Sequence, residues 1–181
     1  MGFDYRSKLQ NSAWRNTWDW ALFAGGAIPS LVFGVAFGNL LLGLPFHYDE
    51  TLRSFYTGSF WELLNPFALL CGVVSLSMLM THGAIYLQLR TDAQVQARAK
   101  EASQWMGMVF IVSFALAGLW IAYGIDGYVL TSSQDFNAAL NPLAKTVSKF
   151  AGGWLNNYKA YPWLMAAPLI GFLGMIFALL N

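Results

Sequence analysis

Two histidines, two carboxylates and a set of hydroxyls are the residues here whose chemistry an apolar helix does not need. His82 lies inside an otherwise uncharged run from Phe67 to Leu89. An ionisable group in such a run is a candidate for proton handling by default, because hydrocarbon penalises it. The structural alternative is a neutral imidazole bonded to a neighbouring helix or lying close to headgroups. Asp19 sits one turn into another apolar run, four residues after Arg15. The two fall on one helical face, where an ion pair anchors the helix end; the functional alternative is a proton-relay carboxylate. Asp126 stands in Gly124-Ile125-Asp126-Gly127, which reads as a helix C-terminus and turn, with a polar functional role as the second reading. Ser75, Met78 and His82 share one helical face, and hydroxyls in spans more often bond helix to helix than conduct protons.

None of these residues forms a self-contained catalytic set. A phosphate-binding glycine loop, CxxC, HExxH and GxSxG are all missing from the sequence. Bis-histidine haem ligation needs two imidazoles at similar depth on facing helices. His47 falls in a loop and His82 in the last two turns of a span near the opposite face, so no haem or metal is expected to be held by this chain alone. The lone Cys71 makes no intrachain disulfide and is read as a small lipid- or core-facing residue.

The elements that position these residues are apolar helices. Hydrophobic residues make up 57% of the 181 and charged residues only 10%, against about 25% in an ordinary soluble domain. A soluble fold of this size cannot clothe so much apolar surface. The net charge of +1 gives no argument for nucleic acid. The fold class is therefore all-α: a polytopic membrane helical bundle of four transmembrane helices with one long polar loop. The clearest span is 66–89, long enough to cross about 30 Å of hydrocarbon. Asn65 reads as its N-cap and Pro66 as its first residue. The others cover about 18–42, 105–125 and 162–180. Aromatics sit at their ends, including Trp18, Trp105, Tyr123 and Trp163.

Residues 1–17 read as a juxtamembrane segment. Pro29 is expected to kink the first span, and Gly34 and Gly38 form a GxxxG that permits another helix to come close. Residues 43–64 interleave aromatics with charges and are expected to lie in the interface. A short polar hairpin over 90–104 precedes the third span. The loop over 126–160 has room for one short helix near Leu143 to Leu155. Residues 1–17 and 90–104 hold six Lys and Arg, against Arg53 and three lysines on the other side, which predicts a cytoplasmic N-terminus. The last span ends at Leu180-Asn181 without a basic flank, and the first residues read like an internal loop. Both features predict a piece of a longer chain, with helix faces left unpaired.

Several blocks, in order, resemble subunit II of the cytochrome bd ubiquinol oxidases. They include Gly2-Phe3-Asp4-Tyr5-Arg6, Trp14-Arg15-Asn16-Thr17-Trp18-Asp19-Trp20 and Gly34-Val35-Ala36-Phe37-Gly38-Asn39. Leu63-Leu64-Asn65-Pro66-Phe67, His82-Gly83-Ala84-Ile85-Tyr86 and Tyr123-Gly124-Ile125-Asp126-Gly127-Tyr128 continue the series. The resemblance runs from Gly2 to about Trp154. It implies a bacterial inner-membrane complex that oxidises quinol, reduces dioxygen to water and builds a proton gradient. Haems b and d would then sit in a partner, subunit I, and this chain would belong to an eight-helix, haem-free scaffold with membrane lipid around it. A structural quinone is compatible with that picture. The family's early Trp-Asp-Gly-Asn-Gln block, tied to proton supply, has no counterpart here, so its acid transfers to no position. Arg15, Asp19, His82 and Asp126 are carried over only as possible proton-path or inter-helix polar residues. The rival reading is a stand-alone small transporter or channel, though no internal repeat supports it.

Overall fold

The computed structural model describes residues 2–132 and 145–180. Four helices among them are long and apolar enough to cross a membrane, and the chain is a polytopic helical membrane bundle. Helix α1 (Gly2–Arg6) is followed by α2 (Ser12–Leu42), a hairpin of β1 (Phe46–Tyr48) and β2 (Ser54–Tyr56), and α3 (Pro66–Arg90). Then come α4 (Ala93–Gly124), a second hairpin of β3 (Gly127–Leu130) and β4 (Val147–Phe150), the short α5 (Asn156–Ala160) and α6 (Ala166–Leu180). A 3₁₀ turn over Pro162–Met165 leads into α6, so the fourth span begins where proline permits it. The 31 residues of α2 and 32 of α4 reach roughly 46–48 Å, so both helices extend beyond the hydrocarbon.

The packed part of the bundle is α2, α3 and α4, with α3 in the middle. Antiparallel α2 and α3 meet at glycines. A Cβ placed on Gly34 would fall 2.2 Å from the Cys71 carbonyl oxygen, and one on Gly38 would fall 2.7 Å from the Ala68 Cα. The GxxxG expectation thus holds, with α3 as the partner and Gly72 returning the approach against Leu31. On the other flank, Gln88 Nε2 donates to Ser103 Oγ at 2.8 Å, and Phe67 meets Trp120 edge-on with centroids 5.8 Å apart. Phe67, Ala117 and Ile125 are buried together beneath Leu70, Val74, Ile121 and Trp154, which puts the tightest apolar cluster at the hairpin end.

Both hairpins lie at that end. Tyr128 Oη donates to the Leu42 carbonyl at 3.0 Å, tying β3 to the last turn of α2. Gly43, at φ +86°, turns the chain there, and any Cβ on it would collide with the same tyrosine hydroxyl.

Several boundaries differ from the sequence reading. The expected polar hairpin over 90–104 is a turn of Thr91 and Asp92 alone, and α4 starts at Ala93 rather than near 105. Ala, Gln, Lys and Glu are strong helix formers, so the polar stretch extends the span as helix in water. Helix α2 likewise starts at Ser12, capped by Asn11 Oδ1 accepting from the Ala13 N–H at 2.9 Å. It stays helical through Pro29, and Ser30 Oγ donates to the Gly26 carbonyl in that turn. The 43–64 segment takes the form of the β1–β2 hairpin and a 3₁₀ turn over Trp61–Leu64. Leu143 and Ala144 of the expected short helix lie outside the described residues. Of the remainder, Val147–Phe150 is strand, Gly153–Leu155 is a 3₁₀ turn, and helix comes only after it in α5.

Candidate functional site

The residues singled out by chemistry do not converge on one centre. Asp19 is held at the α1 end of the bundle. Tyr5 stacks on Trp18 with centroids 5.3 Å apart, and Trp14 Nε1 donates to the Tyr5 carbonyl at 2.7 Å. These contacts fold α1 back along α2 and bring Arg6 to Asp19. Arg6 Nη2 donates to Asp19 Oδ2 at 3.2 Å while its Nε bonds the other oxygen, a bidentate fork. The expected Arg15–Asp19 pair is therefore replaced. Arg15 lies near enough to act on Asp19 through its charge, but Arg6 takes the hydrogen bonds. The bond to Asp19 and its charge raise the Arg6 guanidinium above its ordinary value. Arg6, Gln10, Ser12, Arg15, Asn16 and Asp19 line a polar cleft of about 580 Å³ at this end.

His82 occupies an exposed position on α3, and among the described residues it makes no hydrogen bond. Arg90 is eight positions further on, about 12 Å along the helix. His47 is in β1 at the other surface, stacked on Phe55 with centroids 5.7 Å apart. The two imidazoles lie at opposite ends of the bundle and do not fit a haem iron between them. No group of three His, Cys, Asp or Glu suited to a metal occurs among the described residues. Asp126 is exposed in the connection between α4 and β3, beside Gly127, whose Cβ would strike the Trp154 backbone nitrogen at 2.3 Å. The helix end expected there falls at Gly124.

Sequence reasoning missed a polar node at the hairpin end. Asn39, 6% exposed in the last turns of α2, donates from Nδ2 to the Val35 carbonyl at 2.9 Å and the Leu63 carbonyl at 2.7 Å. Its Oδ1 accepts from Asn65 Nδ2 at 2.9 Å, while Asn65 Oδ1 caps α3 by accepting from the Ala68 N–H at 2.8 Å. The N-cap role of Asn65 was legible; its second role, joining α2 to α3, was not. The available signal was a lone amide in the otherwise apolar run Gly34 to Leu42. A second unannounced site is Asp49, which closes the first hairpin. Its carboxylate is held below the usual range first by the Arg53 backbone N–H and then by the Thr51 hydroxyl.

The family described as cytochrome bd terminal oxidase subunit II matches residues 1–181. Over 171 residues the chain is 54% identical to cytochrome bd-I ubiquinol oxidase subunit 2 of Escherichia coli strain K12, covering 94% of this chain and 45% of that protein. It is 52% identical over 181 residues to a probable cytochrome oxidase subunit 2 of Haemophilus influenzae, covering 100% of this chain and 47% of the relative. A cytochrome bd ubiquinol oxidase subunit 2 of Bacillus subtilis is 33% identical over 127 residues, 70% of this chain and 36% of that one. The chain spans about half the length of the curated relatives it matches. Match and architecture agree: the chain belongs to the cytochrome bd terminal oxidase subunit II family.

Proposed function

We propose that the chain serves as the haem-free subunit of a cytochrome bd-type quinol:dioxygen oxidoreductase, in respiratory electron transfer and proton-gradient formation. The observation that carries this is the match along the whole chain to a subunit II family whose relatives are named as ubiquinol oxidase subunits. The geometry supports a scaffolding part, because the chain's histidines form no axial pair. On this reading haems b and d, the redox chemistry and quinol oxidation belong to the complex, with the haems in a partner subunit I. The chain contributes four spans to a larger, eight-helix subunit in a bacterial inner membrane, surrounded by lipid and with room for a structural quinone. Its N-terminus is cytoplasmic on the basis of Arg6, Lys8, Arg15, Arg90, Arg98 and Lys100 at one surface. Arg15, Asp19, His82 and Asp126 remain proposed proton-path or inter-helix polar residues. Arg6 joins them through its bond to Asp19.

A stand-alone transporter or channel is the other class of reading, and family membership counts against it. Deleting the gene from its host and measuring oxygen uptake driven by added quinol separates the two. Loss of a quinol-dependent component, restored by the intact gene, is the expected result. Unchanged uptake with altered solute flux would contradict the proposal.

A further inference from the structure

The cleft of about 580 Å³ at the α1 end is lined by polar and charged side chains alone. Ser12, Arg15, Asn16 and Asp19 are spaced i, i+3, i+4 and i+7, so they share one face of α2. Arg6 and Gln10 close the other side from α1 and the segment after it. The charges do not cancel. Two guanidiniums face one carboxylate, and both Asp19 oxygens are already taken by Arg6 through Nε and Nη2. Arg15 is left over, acting on Asp19 only through its charge. The side chains of Gln10, Ser12, Arg15 and Asn16 make no hydrogen bond among the described residues. A guanidinium, two amides and a hydroxyl thus turn unused donors towards one space.

The neighbours of the cleft fix its depth. Tyr5, Trp14 and Trp18 pack beside it, with the Trp14 and Trp18 centroids 5.8 Å apart, and such aromatics settle at headgroup level. From Trp20 to Leu42 α2 carries no charge, so the hydrocarbon begins just past Asp19. An apolar helix gains nothing in a polar, cationic cleft at this level. A carboxylate from another part of the protein has only two acceptor oxygens, which leaves most of the donors and most of the volume unused. A phosphate spreads its charge over more oxygens and pairs with a guanidinium in a fork. Basic pockets beside membrane helices hold lipid headgroups on these terms.

We infer that the cleft binds a phosphate group through Arg15, with Gln10, Ser12 and Asn16 as further donors. The inference does not depend on the oxidase reading. Its test uses the complete protein, with the chains that accompany it, freed of lipid in detergent. Short-chain phosphatidylglycerol is titrated in while the thermal midpoint is read. The midpoint should rise saturably, and diacylglycerol with the same acyl chains, which lacks the phosphate, should not raise it. Arg15→Gln should weaken the binding about fivefold, the scale of one arginine near an anionic surface. Arg98→Gln, which removes a charge outside the cleft, should leave it unchanged. A separate titration with inorganic phosphate identifies the source. Binding of the lipid assigns the site to a headgroup, and Arg15-dependent binding of inorganic phosphate alone assigns it to a soluble phosphate. Equal effects of phosphatidylglycerol and diacylglycerol overturn the inference without recourse to any variant. Equal weakening by Arg15→Gln and Arg98→Gln does the same. So does the lack of Arg15-dependent binding of either phosphate, the result expected if another segment of the protein fills the cleft.

Discussion

Helices α2 and α6 are both apolar enough to span a bilayer, and α6 is the more hydropathic, yet they are held in opposite ways. Helix α2 meets α3 with main chain almost against main chain at Gly34, Gly38 and Gly72, and buries Asn39 at the end of the seam. No residue of α6 is buried. It touches α4 through Phe172 and Leu179, and a Cβ on Gly171 or Gly174 would meet nothing within 4 Å. Hydropathy places a helix in the membrane. What fixes it against a neighbour is the pattern of small and polar residues, because lipid rewards apolar surface as well as another helix does.

Substitution at matched glycines breaks this comparison most sharply. Gly34→Leu must push α3 away and should cost about 3 kcal/mol or more, seen as loss of monodisperse protein in size-exclusion chromatography. Gly174→Leu should change stability by less than about 0.5 kcal/mol, within the range of substitutions that touch nothing. Similar behaviour of the two would mean that the α2–α3 seam does not exist as described.

Next in size is the amide at the end of that seam. Asn39→Ala strands the Leu63 carbonyl and one Asn65 N–H and should cost about 1–3 kcal/mol in thermal unfolding. Combined with Asn65→Ala, the loss should be less than the sum of the single losses, since the two amides share a bond. Strict additivity would sever the link between α2 and α3.

The smallest effect belongs outside the membrane. Asp49 titrates below its ordinary value of 3.8, so the support it gives the β1–β2 hairpin is complete above that pH. It is lost as pH falls through the lowered value. Amide resonances of Thr51 and Arg53 in nanodiscs should therefore stay fixed from neutral pH to about 4 and shift together below it. Movement near pH 5 would contradict the carboxylate's hydrogen bonds.

These contrasts also mark what the sequence made legible. Four apolar stretches with aromatic ends, the Asn65-Pro66 start and the close approach at Gly34 and Gly38 all follow from local rules. The Arg6–Asp19 pair does not, because it depends on α1 folding back across thirteen residues of separation. The rule for i,i+4 pairs pointed to Arg15 instead. The hairpins escaped notice because strands of three or four residues, such as Phe46–Tyr48, carry too little alternation to stand out. The start of α4 was misplaced because hydropathy reports the membrane boundary rather than the helix boundary. Among the candidate polar residues, location along the chain was readable; partnership was not. Asp19 finds its partner in α1, whereas His82 has none among the described residues.

On the reading proposed above, this chain is a helical scaffold whose haem chemistry lives in another subunit. The most direct test of that reading is affinity purification of the complete protein from native membranes, followed by a reduced-minus-oxidised optical spectrum before and after the chains are separated. The account predicts haem absorbance eluting with a second membrane chain and staying with that chain on separation. A haem-free product, or haem retained by this chain alone, would contradict it.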